Sequence, residues 1–182
     1  MTNKIILLSG GARSGKSGYG QRLAEEIQGQ RVYIATCPAR QADDPEMEDR
    51  INRHRADRCG RGWRTVEEPL ALAAALAANE GAAVIMVDCL TLWISNLLFA
   101  HGDQTTPLRE DDVAERCRQM IQTARSSAAT VIFISNEVGL GIVPENPLAR
   151  LYRDLVGRCN QVVAAGADEV VIVHCGIPVR IK

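Results

Sequence analysis

The sequence predicts an α/β fold: a mostly parallel sheet with helices on both faces and a C-terminal antiparallel hairpin. Three observations carry this. Short apolar runs of strand length recur at Lys4–Ser9, Ala83–Val87 and Thr130–Ser135. Longer segments with helix start and stop residues lie between them. The runs are continuous rather than alternating, as in parallel strands buried on both faces.

In chain order, Lys4–Ser9 is a strand ended by glycine, and Lys16–Gln28 is a helix. Arg31–Ala35 is a second short strand. Asp43-Asp44-Pro45-Glu46 starts a helix that runs to about Asp57, with an aspartate cap and proline in the first turn. Trp63–Val66 reads as a short strand. Pro69 opens an alanine-rich helix over Leu70–Ala78, closed by Asn79 and Gly81. The strand Ala83–Val87 ends in Asp88, and Thr91–Ala100 is a strongly apolar helix. Thr106-Pro107 caps a helix reaching about Ser127. Thr130–Ser135 is a strand followed by Asn136 and Glu137, then a glycine-rich loop over Gly139–Pro144. Asn146-Pro147 caps a long helix through Ala165. Glu169–Val173 is a strand, and Gly176-Ile177 turns the chain back into Pro178–Ile181. The Arg/Gly-rich segment Arg58–Arg64 is expected to be a mobile loop.

The 182 residues suit one domain spanning 1–182. Hydrophobic content of 46% and charged content of 24% are ordinary for a globular protein. A net charge of -1 makes no overall electrostatic case for nucleic acid or anionic lipid. The six cysteines form no CxxC pair, and with three histidines there is no zinc-type spacing. No signal peptide is read at the N-terminus, so reduced thiols and a cytoplasmic protein are expected. The longest apolar stretch, near Ala82–Val87, is too short to span a bilayer.

Gly10-Gly11-Ala12-Arg13-Ser14-Gly15-Lys16-Ser17 fits G-x-x-x-x-G-K-[ST], the phosphate-binding loop. Glycines let backbone N–H groups approach phosphate oxygens closely, and the helix starting near Lys16 adds its positive dipole end. Lys16 is placed to reach the β- and γ-phosphates, and the Ser17 hydroxyl to ligate Mg²⁺. The alternative is a glycine-rich turn that matches by chance, but strand, loop and helix come in the required order. The fold expected is therefore of the P-loop (RecA-like) kind.

Asp88 ends a buried strand, where an acid suits holding Mg²⁺ directly or through water. The alternative is an ordinary cap on the following helix. Glu137 is a second acid at a strand end. It is a candidate to orient water or metal, or to act as general base on a substrate hydroxyl; alternatively it only shapes its loop. These features imply a nucleoside triphosphate with Mg²⁺ and do not choose a reaction.

The choice comes from a resemblance. GGARSGKS at Gly10–Ser17, Tyr33-Ile34-Ala35-Thr36, Arg50-Ile51-Asn52-Arg53-His54-Arg55 and Trp63-Arg64-Thr65 carry it. So do Asn96-Leu97-Leu98-Phe99, Asn136–Asn146 (NEVGLGIVPEN), Arg158-Cys159-Asn160-Gln161 and the tail Gly176–Lys182. In order and spacing they resemble the bifunctional adenosylcobinamide kinase / adenosylcobinamide-phosphate guanylyltransferase family of cobalamin biosynthesis. The resemblance covers nearly the whole chain, and NEVGLGIVPEN is more specific than the phosphate loop.

That resemblance implies two reactions. The first moves the γ-phosphate of ATP or GTP to the aminopropanol hydroxyl of adenosylcobinamide. The second transfers GMP from GTP to the resulting phosphate through a covalent histidine intermediate, whose matching position is His54. A neutral imidazole can attack the α-phosphorus and split one difficult displacement into two. Arg50, Arg53, Arg55 and Arg58 surround His54 in sequence and suit phosphate charge. Without the resemblance, His54 reads first as a solvated histidine in a charged surface helix, and the resemblance reverses that preference. Where some relatives carry glutamate this chain has the shorter Asp88, and where some carry paired histidines it has Arg53-His54. The resemblance also implies a homotrimer, with Leu90–Phe99 and the C-terminal elements as packing surfaces. The competing readings are a P-loop kinase of another small molecule, which GTP would leave unmarked, and a RecA-like nucleotide-driven switch or assembly.

Overall fold

The computed structural model describes residues 3–37, 52, 55–56, 58–101 and 108–182. Its centre is a seven-stranded sheet of β1 (Ile5–Ser9), β2 (Arg31–Ala35), β3 (Trp63–Glu67), β4 (Val84–Asp88), β5 (Thr130–Ile134), β6 (Glu169–His174) and β7 (Ile177–Arg180). The spatial order is β3-β2-β4-β5-β1-β6-β7. Every pairing is parallel except β6 with β7, which is antiparallel, with Val173 opposite Pro178.

The helices bounded within the described residues are α1 (Lys16–Glu25), α2 (Leu72–Ala77), α3 (Leu90–His101), α4 (Glu110–Ser126) and α5 (Pro147–Gly166). They cover the sheet on both faces. One face buries Leu7, Ile85, Val131 and Phe133 under Leu76 of α2, Trp93 of α3, Cys117 of α4 and Leu155 of α5. The other buries Leu8, Met86 and Ile134 under α1. The helix approaches closely there, because a Cβ on Gly20 would lie 3.0 Å from both Leu8 and Ile134 side chains. Burial on both faces explains why these strands are apolar throughout.

Helix ends follow local chemistry. The Asn146 side chain accepts from the Leu148 and Ala149 amides at 2.8 and 3.2 Å, capping α5 as expected. Glu68 accepts from the Leu70 and Ala71 amides, so α2 starts at Leu72, later than its proline suggests. In α4 the Arg109 amide donates to Asp112, and the helix starts at Glu110. The expected cap at Thr106-Pro107 lies outside the described residues, as does the expected start at Asp43–Glu46; of that helix, Asn52, Arg55, Ala56 and Arg58 are described and helical.

The Arg58–Arg64 segment is a tied turn rather than a free loop. Gly60 and Gly62 take φ of 73° and 74°. The Arg61 carbonyl accepts from Arg31 at 3.2 Å, the Arg61 side chain pairs with Glu25 at 3.6 Å, and Trp63 donates to the same carboxylate at 3.2 Å. The cysteines form no disulfide with one another among the described residues, and Cys89, Cys117 and Cys159 are buried. Among the described residues, no helix is long and apolar enough to cross a membrane.

Candidate functional site

Because β1 to β6 run parallel, their C-terminal ends share one edge of the sheet. That edge gathers the loop after Ser9, Thr36, Asp88, Ser135 to Glu137, and the turn after His174. Open parallel sheets bind ligands at this edge.

The phosphate loop occupies the end of β1. Gly10, Arg13 and Gly15 have φ of 151°, 58° and 94°, positive values of the kind that let successive loop amides turn toward an anion. Gly15 is the left-handed residue that enters α1, with no side-chain cap, so the helix's first amides are open to an anion. Gly10 has a steric reason to be glycine, since a Cβ would lie 2.3 Å from the Val173 carbonyl oxygen and 2.8 Å from Ser14 Oγ. Gly11, Ala12, Arg13 and Gly15 are exposed, Ser14 and Ser17 half-buried, and Lys16 is 6% exposed. The Lys16 amine donates to the Gly11 carbonyl at 3.0 Å, lying back across the loop.

Asp88 ends β4, opposite Ala35 on one side and Ile134 on the other. One strand, β5, separates it from β1. The Tyr33 hydroxyl donates to its carboxylate at 3.1 Å. Burial, and then the Asp88 charge, push the Tyr33 hydroxyl well above its usual range, so it stays a donor. Thr36 bridges the next peptide: its hydroxyl donates to the Cys89 carbonyl and accepts from the Cys89 amide, both at 2.8 Å. Asn96 of α3 donates to the Thr36 carbonyl at 2.7 Å.

Glu137 is joined to the phosphate loop through its backbone, which donates to the Gly10 carbonyl at 3.1 Å. Its carboxylate is exposed and turns onto its own loop, accepting from the Gly139 amide at 2.5 Å. A polar chain supports the same corner: Ser135 donates to Asn160, Asn160 to the Asn136 carbonyl, and Asn136 to Thr91. At the other end, the Gly176 amide donates to the Ser14 carbonyl at 2.9 Å.

The comparison with protein families decides what this edge belongs to. Residues 6–181 match the model of the family described as cobinamide kinase / cobinamide phosphate guanyltransferase. The chain belongs to this family. Its members here include the bifunctional adenosylcobalamin biosynthesis protein CobU of Salmonella typhimurium, 41% identical over 98% of this chain and 99% of that one. CobP of Pseudomonas aeruginosa, carrying the same description, is 42% identical over 97% of this chain and 96% of its own. Among solved structures, the flagellar accessory protein FlaH from Methanocaldococcus jannaschii superposes with a TM-score of 0.55 over 100% of this chain and 79% of its own. At 14% identity that likeness shows the fold alone. The chain is thus an enzyme of a kinase and guanyltransferase family on a P-loop sheet.

Within this family member, the structure brings Gly10 to Ser17, Asp88 and Glu137 to one edge. His54, Arg50 and Arg53 lie outside the described residues. Arg55 is helical and exposed, and pairs with Glu67 of β3 at 2.8 Å. Trp93 is core; Trp63 is half-buried and meets Tyr33 edge-on at 6.2 Å. Sequence reasoning missed Tyr33, Thr36 and Gly176 as parts of the site. Tyr33 and Thr36 lay inside a stretch already resembling the family, which was the available signal.

Proposed function

We propose that this chain, as one nucleotide-binding domain over 1–182, phosphorylates adenosylcobinamide with ATP or GTP and then guanylylates the product through His54. The observation that supports this most is the phosphate loop with buried Lys16 on the same sheet edge as Asp88, within a chain matched by the family from residue 6 to 181.

In the first reaction the loop amides and Lys16 hold the β- and γ-phosphates and stabilise charge on the transferring group. Glu137, tied by its backbone to Gly10, takes the proton of the attacking hydroxyl as that oxygen bonds to the γ-phosphorus and the β–γ bridge breaks. In the second, a His54 nitrogen bonds to the α-phosphorus of GTP and pyrophosphate leaves with the bond's electron pair. The substrate phosphate then displaces the histidine. Arg50, Arg53 and Arg55 supply positive charge to these phosphates.

Ser17 and Asp88 fit Mg²⁺. Both are hard oxygen donors, Ser17 in the first turn of α1 and Asp88 at the end of β4, on the sheet edge that carries the phosphate loop. Such a pair suits a hard cation that keeps most of its waters. Ser17 would ligate it and Asp88 would hold it directly or through water. Held there, the cation would supply positive charge to the nucleotide's phosphates.

We assign a cytoplasmic homotrimer that binds no nucleic acid. Self-association is supported by Ile177, Val179 and Ile181, which are 64%, 50% and 60% exposed on the terminal hairpin. Helix α3 offers less, because Leu90, Trp93, Ile94 and Leu97 are spent on the chain's own core and only Phe99, at 69%, projects.

The test is product analysis. With adenosylcobinamide, Mg²⁺ and ATP alone, mass spectrometry should find the phosphate ester; adding GTP should convert it to adenosylcobinamide-GDP. Phosphorylation without any GDP product would favour a kinase lacking the second activity.

A further inference from the structure

Beyond Glu137 the chain carries apolar side chains that its own core does not take. Val138 packs against the core. Leu140, Ile142 and Val143 then stand 92%, 96% and 62% exposed. Large apolar groups gathered in solvent mark a surface that meets a partner or a ligand. No charged residue lies between Val138 and Pro144. Among the described residues, no backbone group accepts from the amides of Leu140 to Val143. The tip is therefore neutral, apolar in its side chains and open in its backbone.

The segment is held at both feet. At its start the Gly139 amide donates to Glu137 at 2.5 Å, and the Gly139 carbonyl accepts from Arg153 of α5 at 2.9 Å. At its end Arg150 of α5 donates to the carbonyls of Pro144 and Glu145 at 2.9 and 2.6 Å. One helix thus clamps both feet and leaves the apolar tip outside. The tip also borders the catalytic edge, because the Glu137 amide donates to the Gly10 carbonyl of the phosphate loop at 3.1 Å. A hydroxyl that attacks a phosphate held in that loop comes in over this corner, and the body that carries the hydroxyl lies outside it.

We propose that the tip Leu140–Val143 is a seat for the rim of the corrinoid substrate, with Arg150 and Arg153 holding it out beside the phosphate loop. This rests on the reading that the chain phosphorylates adenosylcobinamide. The family's named substrate is cobinamide. A corrinoid is a wide macrocycle whose rim carries methyl groups and neutral carboxamide arms. It is too broad to follow its own side arm into the phosphate loop, so it rests on the surface beside it. Apolar side chains meet the methyl groups and open backbone amides meet the carboxamide oxygens, the mixture of apolar wall and few polar groups that fixes a small molecule's orientation.

The double variant Leu140→Ser/Ile142→Ser tests it in the kinase step with ATP, where no GMP transfer enters. The KM for adenosylcobinamide should rise about tenfold or more, the scale of unseating one apolar side chain, while the KM for ATP stays within about twofold. Calorimetric binding of adenosylcobinamide without nucleotide should weaken by the same factor. The melting temperature should hold, because neither side chain serves the chain's own core. Ile142→Leu keeps the apolar volume and should bind adenosylcobinamide within about twofold of the unaltered protein. In an active enzyme, a double variant whose KM and affinity for adenosylcobinamide are unchanged overturns the proposal alone. So does a smaller assembly in light scattering with that KM unchanged, which gives the tip to a second copy of the chain. If the unaltered protein neither binds nor phosphorylates adenosylcobinamide, the functional reading itself fails and the seat goes with it.

Discussion

The Gly176 amide donates to the Ser14 carbonyl at 2.9 Å, so the C-terminal turn is part of the phosphate loop's support. The neighbouring Val173 carbonyl lies where a Cβ on Gly10 would stand, at 2.3 Å. The loop is thus braced by β6 and the terminal turn as well as by its own strand and helix.

Gly10→Ala should therefore do more than stiffen the loop. Backbone must move to admit the methyl, at a cost of about 1–3 kcal/mol, or roughly 3–10 °C in melting temperature at this chain length. GTP affinity should fall as well. Unchanged melting and binding would show that the β6 carbonyl does not confine the loop.

Lys16→Ala should lower phosphoryl transfer by about 10²–10³-fold, the usual loss for one preorganised donor at a charge-developing oxygen. The fold should survive, because the amine donates to the Gly11 carbonyl of the phosphate loop and the sheet's core lies elsewhere. Initial rates with ATP and adenosylcobinamide measure the effect; a rate within threefold of the unaltered protein would contradict the role.

Asp168 links stability to acid pH. Its carboxylate accepts from Arg125 at 2.6 Å and from the Ile5 amide at 2.7 Å. The Arg125 bond, against a smaller opposing effect of burial, lowers its pKa below the usual carboxylate value. A depressed folded pKa contributes stability above the unfolded value, near 3.9, and loses it as pH falls through the folded value. Both side chains are over a third exposed, so solvent screening keeps the effect small. Melting curves from pH 6 downward should show Asp168→Asn less stable near neutrality and converging with the unaltered protein in acid. Parallel curves at every pH would remove the linkage.

The exposed hairpin predicts its own test. Val179→Glu places a charge on the half-exposed β7 edge and should shift the oligomer toward monomers of 19.8 kDa in light scattering, with little change in the monomer's fold. A mass that stays put would move the interface elsewhere.

Much of the fold was legible because its signals are local. The runs IILLS, VIMVD and TVIFI became β1, β4 and β5, and Asn146-Pro147 capped α5 where expected. The loop at Gly10–Ser17 was readable for the same reason: its glycines and lysine work within one short segment. What was hidden depends on contacts distant in sequence. Nothing near Arg58 announces burial, since the Tyr33 ring that covers it comes from β2. Glu137 could serve chemistry or its loop, and only the fold shows its carboxylate on the Gly139 amide. Gly176 looked like a turn residue, and its bond to Ser14 needs the sheet order that sets β6 beside β1.

The central claim is that one phosphate loop serves transfer at both the γ- and the α-phosphorus, with His54 carrying GMP in between. Incubation with α-labelled GTP and Mg²⁺, followed by denaturation, tests it most directly. The account predicts a protein-bound label that is acid-labile and base-stable, absent in His54→Ala and strongly reduced in Lys16→Ala. Equal labelling in His54→Ala, or none in the unaltered protein, would contradict it.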